Sequence, residues 1–273
     1  MTAFPQVPVA EASPATLAIY RQAMAAAGAG SPALFFRFSA IYPGLLDWIW
    51  SAVGPDIAAG WPSREVWKIV DDQPAVDLPA FQLDDAERRS IRDMLISYNR
   101  MNSVNFAIVG AVRGLVTGDG PPPPQAPCSE AAFTPPAPMP DLPPPRRLDQ
   151  LDEGQKAAVL AICRTHRPIE IGGQRVDVPP TLYMHAALWP DYFMAATGAI
   201  DAAMDRIDAA THDLAARCAP LIGQVLANAR ARNPGPPPLD DATDLTNVMN
   251  AFMYLSPHMV VAGRALEMAL DKA

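Results

Sequence analysis

Long basic runs, paired cysteines and extended apolar stretches are all missing from this 273-residue chain, and each absence removes a class of function. No block of Lys or Arg exceeds two residues, and 21 basic against 29 acidic side chains leave a net charge of -8. A large nucleic-acid-binding surface is therefore not expected. The three cysteines, Cys128, Cys163 and Cys218, form no CxxC pair, which fits a reducing compartment and gives no zinc signal. His166, His185, His212 and His258 share no zinc-ligand spacing, and HExxH, EF-hand, phosphate-loop, Rossmann and GxSxG patterns are absent. No metal or cofactor is expected. The start, MTAFPQVPVAEASP, has neither a basic leader nor an apolar core, and no run of 18 uncharged apolar residues follows. The expectation is a cytoplasmic protein without a membrane span.

Half of the residues are apolar, enough for one large core or two modest ones. Alanine, leucine and methionine abound while β-branched runs are short and strict alternation is rare, so the patterning predicts an all-α fold without a substantial β-sheet. Helices are expected over 13–27, from Ser31 as N-cap with Pro32 in the first turn, from Pro43-Gly44 toward Trp50, and over 63–70. The clearest one begins at Asp84 or Asp85 and runs to about Val116. Its Ile91, Leu95, Tyr98, Asn102, Asn105, Val109, Val112 and Val116 follow the three-and-four spacing of a buried stripe, interrupted by two amides. The segment GDGPPPPQAPCSEAAFTPPAPMPDLPPP (118–145) cannot be helical, because each interior proline costs about 3 kcal/mol. It reads as a polyproline-rich linker laid over the surface. Helices resume over 149–163, then a turn or hairpin in RPIEIGGQRVDVP, a helix from Pro180 that breaks at Pro190 and restarts toward Asp205, one over 206–232, and one from Asp240 or Asp241 to about Leu270.

Two stretches resemble each other: SPALFFRFSAIYPGLL at 31–46 and PPTLYMHAALWPDYF at 179–193. In both, a proline opens an apolar run and another stands eleven residues later behind an aromatic, Tyr42 or Trp189. Each lies in the same order of elements, which predicts an internal duplication: repeat one over 13–116, a proline-rich linker over 117–148, and repeat two over 149–270. Pseudo-symmetric repeats would pack around a cleft that receives corresponding elements from both. The chance resemblance of amphipathic helices is the alternative.

Several residues in this frame could carry chemistry. An amide on an apolar stripe must find partners, so Asn102 either orients a water or a carboxylate or belongs to an internal network linking helices. Asn105 lies one turn on. Arg37, inside FFRFSAIYP, could clamp a carboxylate in a bidentate pair or snorkel from a buried helix. His185 shares a helix face with Thr181 and Leu182 and could take a proton near neutral pH. Tyr254 and His258, one turn apart, could line a cleft or stabilise a helix contact.

ATLAIYRQ (15–22), YPGLLDWIW (42–50), ISYNRMN (96–102), ALWP (187–190) and FMY (252–254) appear in an order that resembles the group I α-haloacid dehalogenases. The resemblance implies an all-helical protein of two related repeats with the active site between them. It also implies attack on the Cα–halogen carbon by an aspartate-activated water, with inversion and no covalent ester. The family's asparagine falls on Asn102 and its active-site tyrosine on Tyr254. The catalytic aspartate falls on Leu182 and the serine beside it on Thr181, while two pocket aromatics fall near Ser31 and Leu34. Leucine accepts no proton, so ordinary dehalogenation is not expected; Asp177, His185 and Asp191 are the nearby substitutes, with His185 best placed. The expected cleft holds Asn102, approaches Tyr254, has 181–185 as one wall, and takes a small organic acid. Hydrolase-like chemistry on that acid, carboxylate binding without catalysis, and a structural role without a ligand stay open. A homodimer stays open as well.

Overall fold

The computed structural model describes residues 4–129, 133, 134, 136–163, 166, 169–176 and 178–272. Helix α1, Pro14–Ala27, starts where the Ser13 hydroxyl accepts the Thr16 amide at 3.2 Å, with proline in the first turn where no amide proton is needed. The six-residue α2 spans Leu34–Ser39, α3 Leu45–Ala59, and α4 Trp61–Asp72. The long α5, Asp85–Thr117, is capped by the Asp84 carboxylate, which accepts the amides of Ala86 and Glu87 at 2.8 Å each. After the linker come α6 (Glu153–Ile162), a hairpin of β1 (Ile169–Ile171) and β2 (Gln174–Val176), and α7 (Thr181–Ala186). The helices α8 (Pro190–Ala202), α9 (Met204–Ala231) and α10 (Thr243–Leu270) complete the chain.

The fold is all-α apart from this two-stranded antiparallel hairpin, in which Ile169 faces Val176 and Ile171 faces Gln174. No helix of the described residues is long and apolar enough to cross a membrane. Its centre is the pair α5 and α10, which share the most extensive helix packing, with α9 against both. Between them, a methyl added to Gly263 would overlap the Asn99 side-chain amide, so the glycine makes room for that side chain against α10. The halves are also tied elsewhere. Asp56 of α3, 3% exposed, accepts from Trp61 Nε1 at 3.1 Å, Asn228 Nδ2 at 3.0 Å and Arg232 at 2.6 Å.

The linker is docked on the helices. The Cys128 amide donates to Gln224 Oε1 at 2.6 Å, Phe133 N to Ala59 O at 3.2 Å, Met139 N to Gly28 O at 3.3 Å, and Arg146 N to Met184 O at 3.1 Å. Linker positions 130–132 and 135 lie outside the described residues. A Cβ on Gly30 would come within 2.3 Å of the Pro140 carbonyl oxygen.

One local expectation is corrected. Ser31 does not cap a helix: α2 begins at Leu34 after an Ala33 in extended conformation, and the 30–33 segment is held instead by Gly30 N donating to Ser97 Oγ at 2.8 Å. That tertiary bond outweighs the local Ser-Pro start signal. At Pro190, where a break and restart were expected, α8 begins, with the proline at its first position, where it costs nothing.

Candidate functional site

Four segments converge on one cavity of about 580 Å³ of space free of atoms, its open mouth included. The α1–α2 loop and α2 supply Ser31, Pro32, Ala33, Leu34 and Arg37; α5 supplies Ser97, Tyr98, Met101, Asn102 and Asn105. Val178, Pro180, Thr181 and Leu182 form the wall from α7, and Phe252, Leu255, Ser256 and Met259 the wall from α10. Helical periodicity explains the selection: 98, 101, 102 and 105, and again 252, 255, 256 and 259, each follow one face of their helix.

Of the residues singled out in the sequence, Arg37, Leu34, Asn102, Thr181 and Leu182 line this cavity together. Arg37 is fixed at its backbone by its carbonyl, which accepts the Val7 amide at 2.9 Å. Its guanidinium makes no hydrogen bond and no ion pair with any described residue, and its Nε is buried without a partner. Burial lowers its pKa, partly offset by the nearby Tyr98 and Tyr20 hydroxyls. Asn105, 3% exposed, donates from Nδ2 to Ser256 Oγ at 2.8 Å, while its Oδ1 has no partner. Leu182 is 1% exposed and lies against Gly263 and the cavity. No Asp or Glu of the described residues lines the cavity.

The other three residues are elsewhere. His185 is buried behind the α7 wall, where Nδ1 is 3.2 Å from the Tyr98 hydroxyl and the ring stacks on Trp189 at 13°. Burial pushes its pKa down to about 4, so the imidazole is neutral at pH 7. Tyr254 and His258 do not line the cavity. Two residues beyond Phe252 and Ser256, they are turned some 200° around α10. There Tyr254 donates to Asp208 Oδ1 at 2.5 Å and lies 3.4 Å from His258 Nδ1, while His258 Nε2 is 3.4 Å from the Tyr183 hydroxyl. Hydrogen bonds from His258 and Tyr254 hold the Asp208 carboxyl below its usual pKa, against the effect of burial. His166 and His212 pack on Tyr254, and burial takes the His166 pKa down to about 3, with His258 adding to the effect.

Of the substitutes weighed for the missing acid, Asp191 is exposed at the start of α8, and Asp177 lies outside the described residues. Among the described residues no group of three or more His, Cys, Asp or Glu could hold a metal ion. The cavity residues that sequence reasoning passed over are Ser97, Tyr98 and Ser256. Tyr98 and Ser256 sit on stripes read as apolar packing; for Tyr98 the signal was its place one turn from Asn102, and for Ser256 its hydroxyl on the stripe one turn from Phe252.

No family model matches this chain, and no curated protein does. Solved structures do. A D-2-haloacid dehalogenase mutant in complex with D-2-CPA superposes with a TM-score of 0.71 at 16% identity, over 97% of this chain and 95% of that one. A D-2-haloacid dehalogenase complex with L-LA gives 0.68 at 16% identity, over 97% and 95%. A further D-2-haloacid dehalogenase mutant gives 0.66 at 16%, over 98% and 94%. The chain therefore has the all-α haloacid dehalogenase fold. At such identity the likeness speaks to fold alone.

Proposed function

We propose that the cavity is a binding site for a small monocarboxylate and that Arg37 is its anion partner. One observation carries the reading. Arg37 is half-buried, its Nε is fully buried, no described residue accepts from its guanidinium, and no described Asp or Glu lines the cavity it stands in; a desolvated cation without a counter-charge is costly unless an anion completes it. The walls from Leu34, Leu182, Phe252 and Met259 suit a short apolar body, and Asn102, Asn105, Thr181 and Ser256 suit one or two polar substituents on it. The chain's net negative charge is no obstacle, because the local field governs a cleft.

The same cavity argues against ordinary 2-haloacid dehalogenation. That chemistry needs a proton acceptor for the attacking water, a contribution worth about 10²–10⁴-fold. Leu182 supplies none, and His185 is set back from the lining with Nδ1 engaged by Tyr98. Binding without this turnover is thus favoured over a relocated base, and an open cavity that gathers Arg37, Asn102, Asn105 and Thr181 among apolar walls favours it over a purely structural role. Two repeats over 13–116 and 149–270 form part of the proposal, supported by five helices in matching order before and after the linker. A cleft shared by both halves would follow from it.

Thermal unfolding with both enantiomers of 2-chloropropionate, with lactate, and with the corresponding amides tests the reading. Carboxylates should raise Tm, at 100 Kd by about 2.7 kcal/mol of stabilisation, and the amides should not. Chloride release should be absent or very weak. Equal shifts with amides, or no shift with any carboxylate, would refute the binding reading; robust chloride release would refute the argument from Leu182.

A further inference from the structure

We infer that Tyr98 is a second hydrogen-bond donor to the bound carboxylate and that His185 is the positioning residue that frees its hydroxyl proton for this purpose, an inference that rests on the anion-site reading above. Tyr98 lines the cavity and is 9% exposed, whereas His185 is 1% exposed and does not line it. The two meet edge to face with ring centroids 5.7 Å apart and the hydroxyl 3.2 Å from Nδ1.

A neutral imidazole carries its proton on one nitrogen, and the surroundings decide which. The other ring nitrogen, Nε2, is buried and has no partner. With the proton on Nε2, a buried N–H is orphaned, and the Tyr98 proton is committed to Nδ1. With the proton on Nδ1, only a lone pair is left unpaired at Nε2, a lesser loss because orphaned buried N–H groups are the rarer defect. Nδ1–H then donates to the tyrosine oxygen, and the phenolic O–H is left to turn into the cavity. Arg37, close enough to act electrostatically on Tyr98, lines the same cavity from α2 with its own unused donor. A carboxylate with one oxygen toward each group would satisfy both. The stack of His185 on Trp189 fixes the ring plane on which this polarity depends.

The arrangement accounts for a histidine on the face of Thr181 and Leu182 that nevertheless stays out of the cavity. It acts through Tyr98 and does not touch the ligand.

Nitrogen-15 NMR of the ligand-free full chain reads the tautomer directly, and affinity for lactate and 2-chloropropionate reads the consequence. The expected result is a neutral Nδ1–H imidazole at His185 at pH 7. Tyr98→Phe should weaken carboxylate binding by about tenfold, as the loss of one charge-assisted hydrogen bond does. His185→Gln, whose amide reaches the Nε2 position, should weaken it to a similar extent, and adding it to Tyr98→Phe should cost little more. His185→Asn, which places an amide N–H where Nδ1–H was, should restore most of the affinity; a merely structural histidine would not discriminate between the two amides. An Nε2–H tautomer, or equal behaviour of the Gln and Asn variants with both folded, overturns the role of His185. Wild-type affinity in Tyr98→Phe overturns the donor role of Tyr98 while the anion site stands. Failure of the wild-type chain to bind any carboxylate removes the anion site itself, and Tyr98's role with it.

Discussion

Replacing Arg37 by methionine should make the ligand-free protein more stable and abolish its response to carboxylates. Arg37 lies half-buried in a cavity wall, with a pKa lowered chiefly by desolvation and no partner for its buried Nε. An unmet buried donor costs about 1–3 kcal/mol, and more when the group is charged. Methionine retains most of the apolar stem and its packing while removing that cost. The backbone bond from Val7 to the Arg37 carbonyl is untouched. Stabilisation of about 1–3 kcal/mol corresponds to roughly 2–10 °C in Tm for a chain of this size. Carboxylate, which raises the wild-type Tm, should leave the variant unmoved, so the two melting curves approach one another as ligand is added. Differential scanning calorimetry with and without lactate makes both measurements. A variant that melts clearly below wild type would show that Arg37 is a structural residue, and one that keeps the carboxylate shift would show that the anion is held elsewhere.

Asp56→Ala should destabilise the fold by about 3–5 kcal/mol in urea unfolding, because it strips a buried carboxylate from Arg232, Trp61 and Asn228 at once; a loss below about 1 kcal/mol would contradict this. Gly30→Ala drives a methyl into the Pro140 carbonyl and should cost about 1–3 kcal/mol, with faster proteolytic nicking in 118–147; unchanged nicking would mean that the linker is not held there. Acid should unfold the protein partly through His185. Its folded pKa of about 4 lies below the unfolded value near 6.5, so the unfolded chain binds the proton first and stability falls as pH drops from about 6.5 to 4. The share from His185 is about 3 kcal/mol, and His185→Asn should flatten that part of the stability–pH curve; an unchanged slope would refute it.

The helices were legible because local signals and burial agreed. Asp84 caps α5 within one residue of the predicted start, and Gly118, with φ of 79°, ends it just past Val116. The proline tract was readable as linker for the same reason, since nothing in it could propagate a helix. Ser31-Pro32 failed as a helix start because its competitor is tertiary: Ser97, 66 residues away in sequence, holds the loop at Gly30. No local window contains that information.

The site was legible in part, and the dividing line is angular. Asn102 was read from the buried stripe of its helix, Arg37 as a cation inside an apolar run and Thr181 and Leu182 from the resemblance, and all four line the one cavity. Tyr254 was placed by likeness to a family and His258 by its place one turn from Tyr254, and in α10 a two-residue offset carries them to the face turned toward Asp208. His185 shows a further limit. Its helix face was read correctly, yet a side chain that starts on the right face can end against a neighbour, and Tyr98 intercepts it. Tyr98 itself was visible as a stripe residue, but a tyrosine on an apolar stripe looks like packing until the partner of its hydroxyl is known. What distinguishes function here is which polar atoms are left without a protein partner. Arg37 Nε, Asn105 Oδ1 and His185 Nε2 are such atoms. The first two belong to residues that line the cavity, where a ligand can complete them; the third belongs to a residue that does not, and there the choice of tautomer sets the cost.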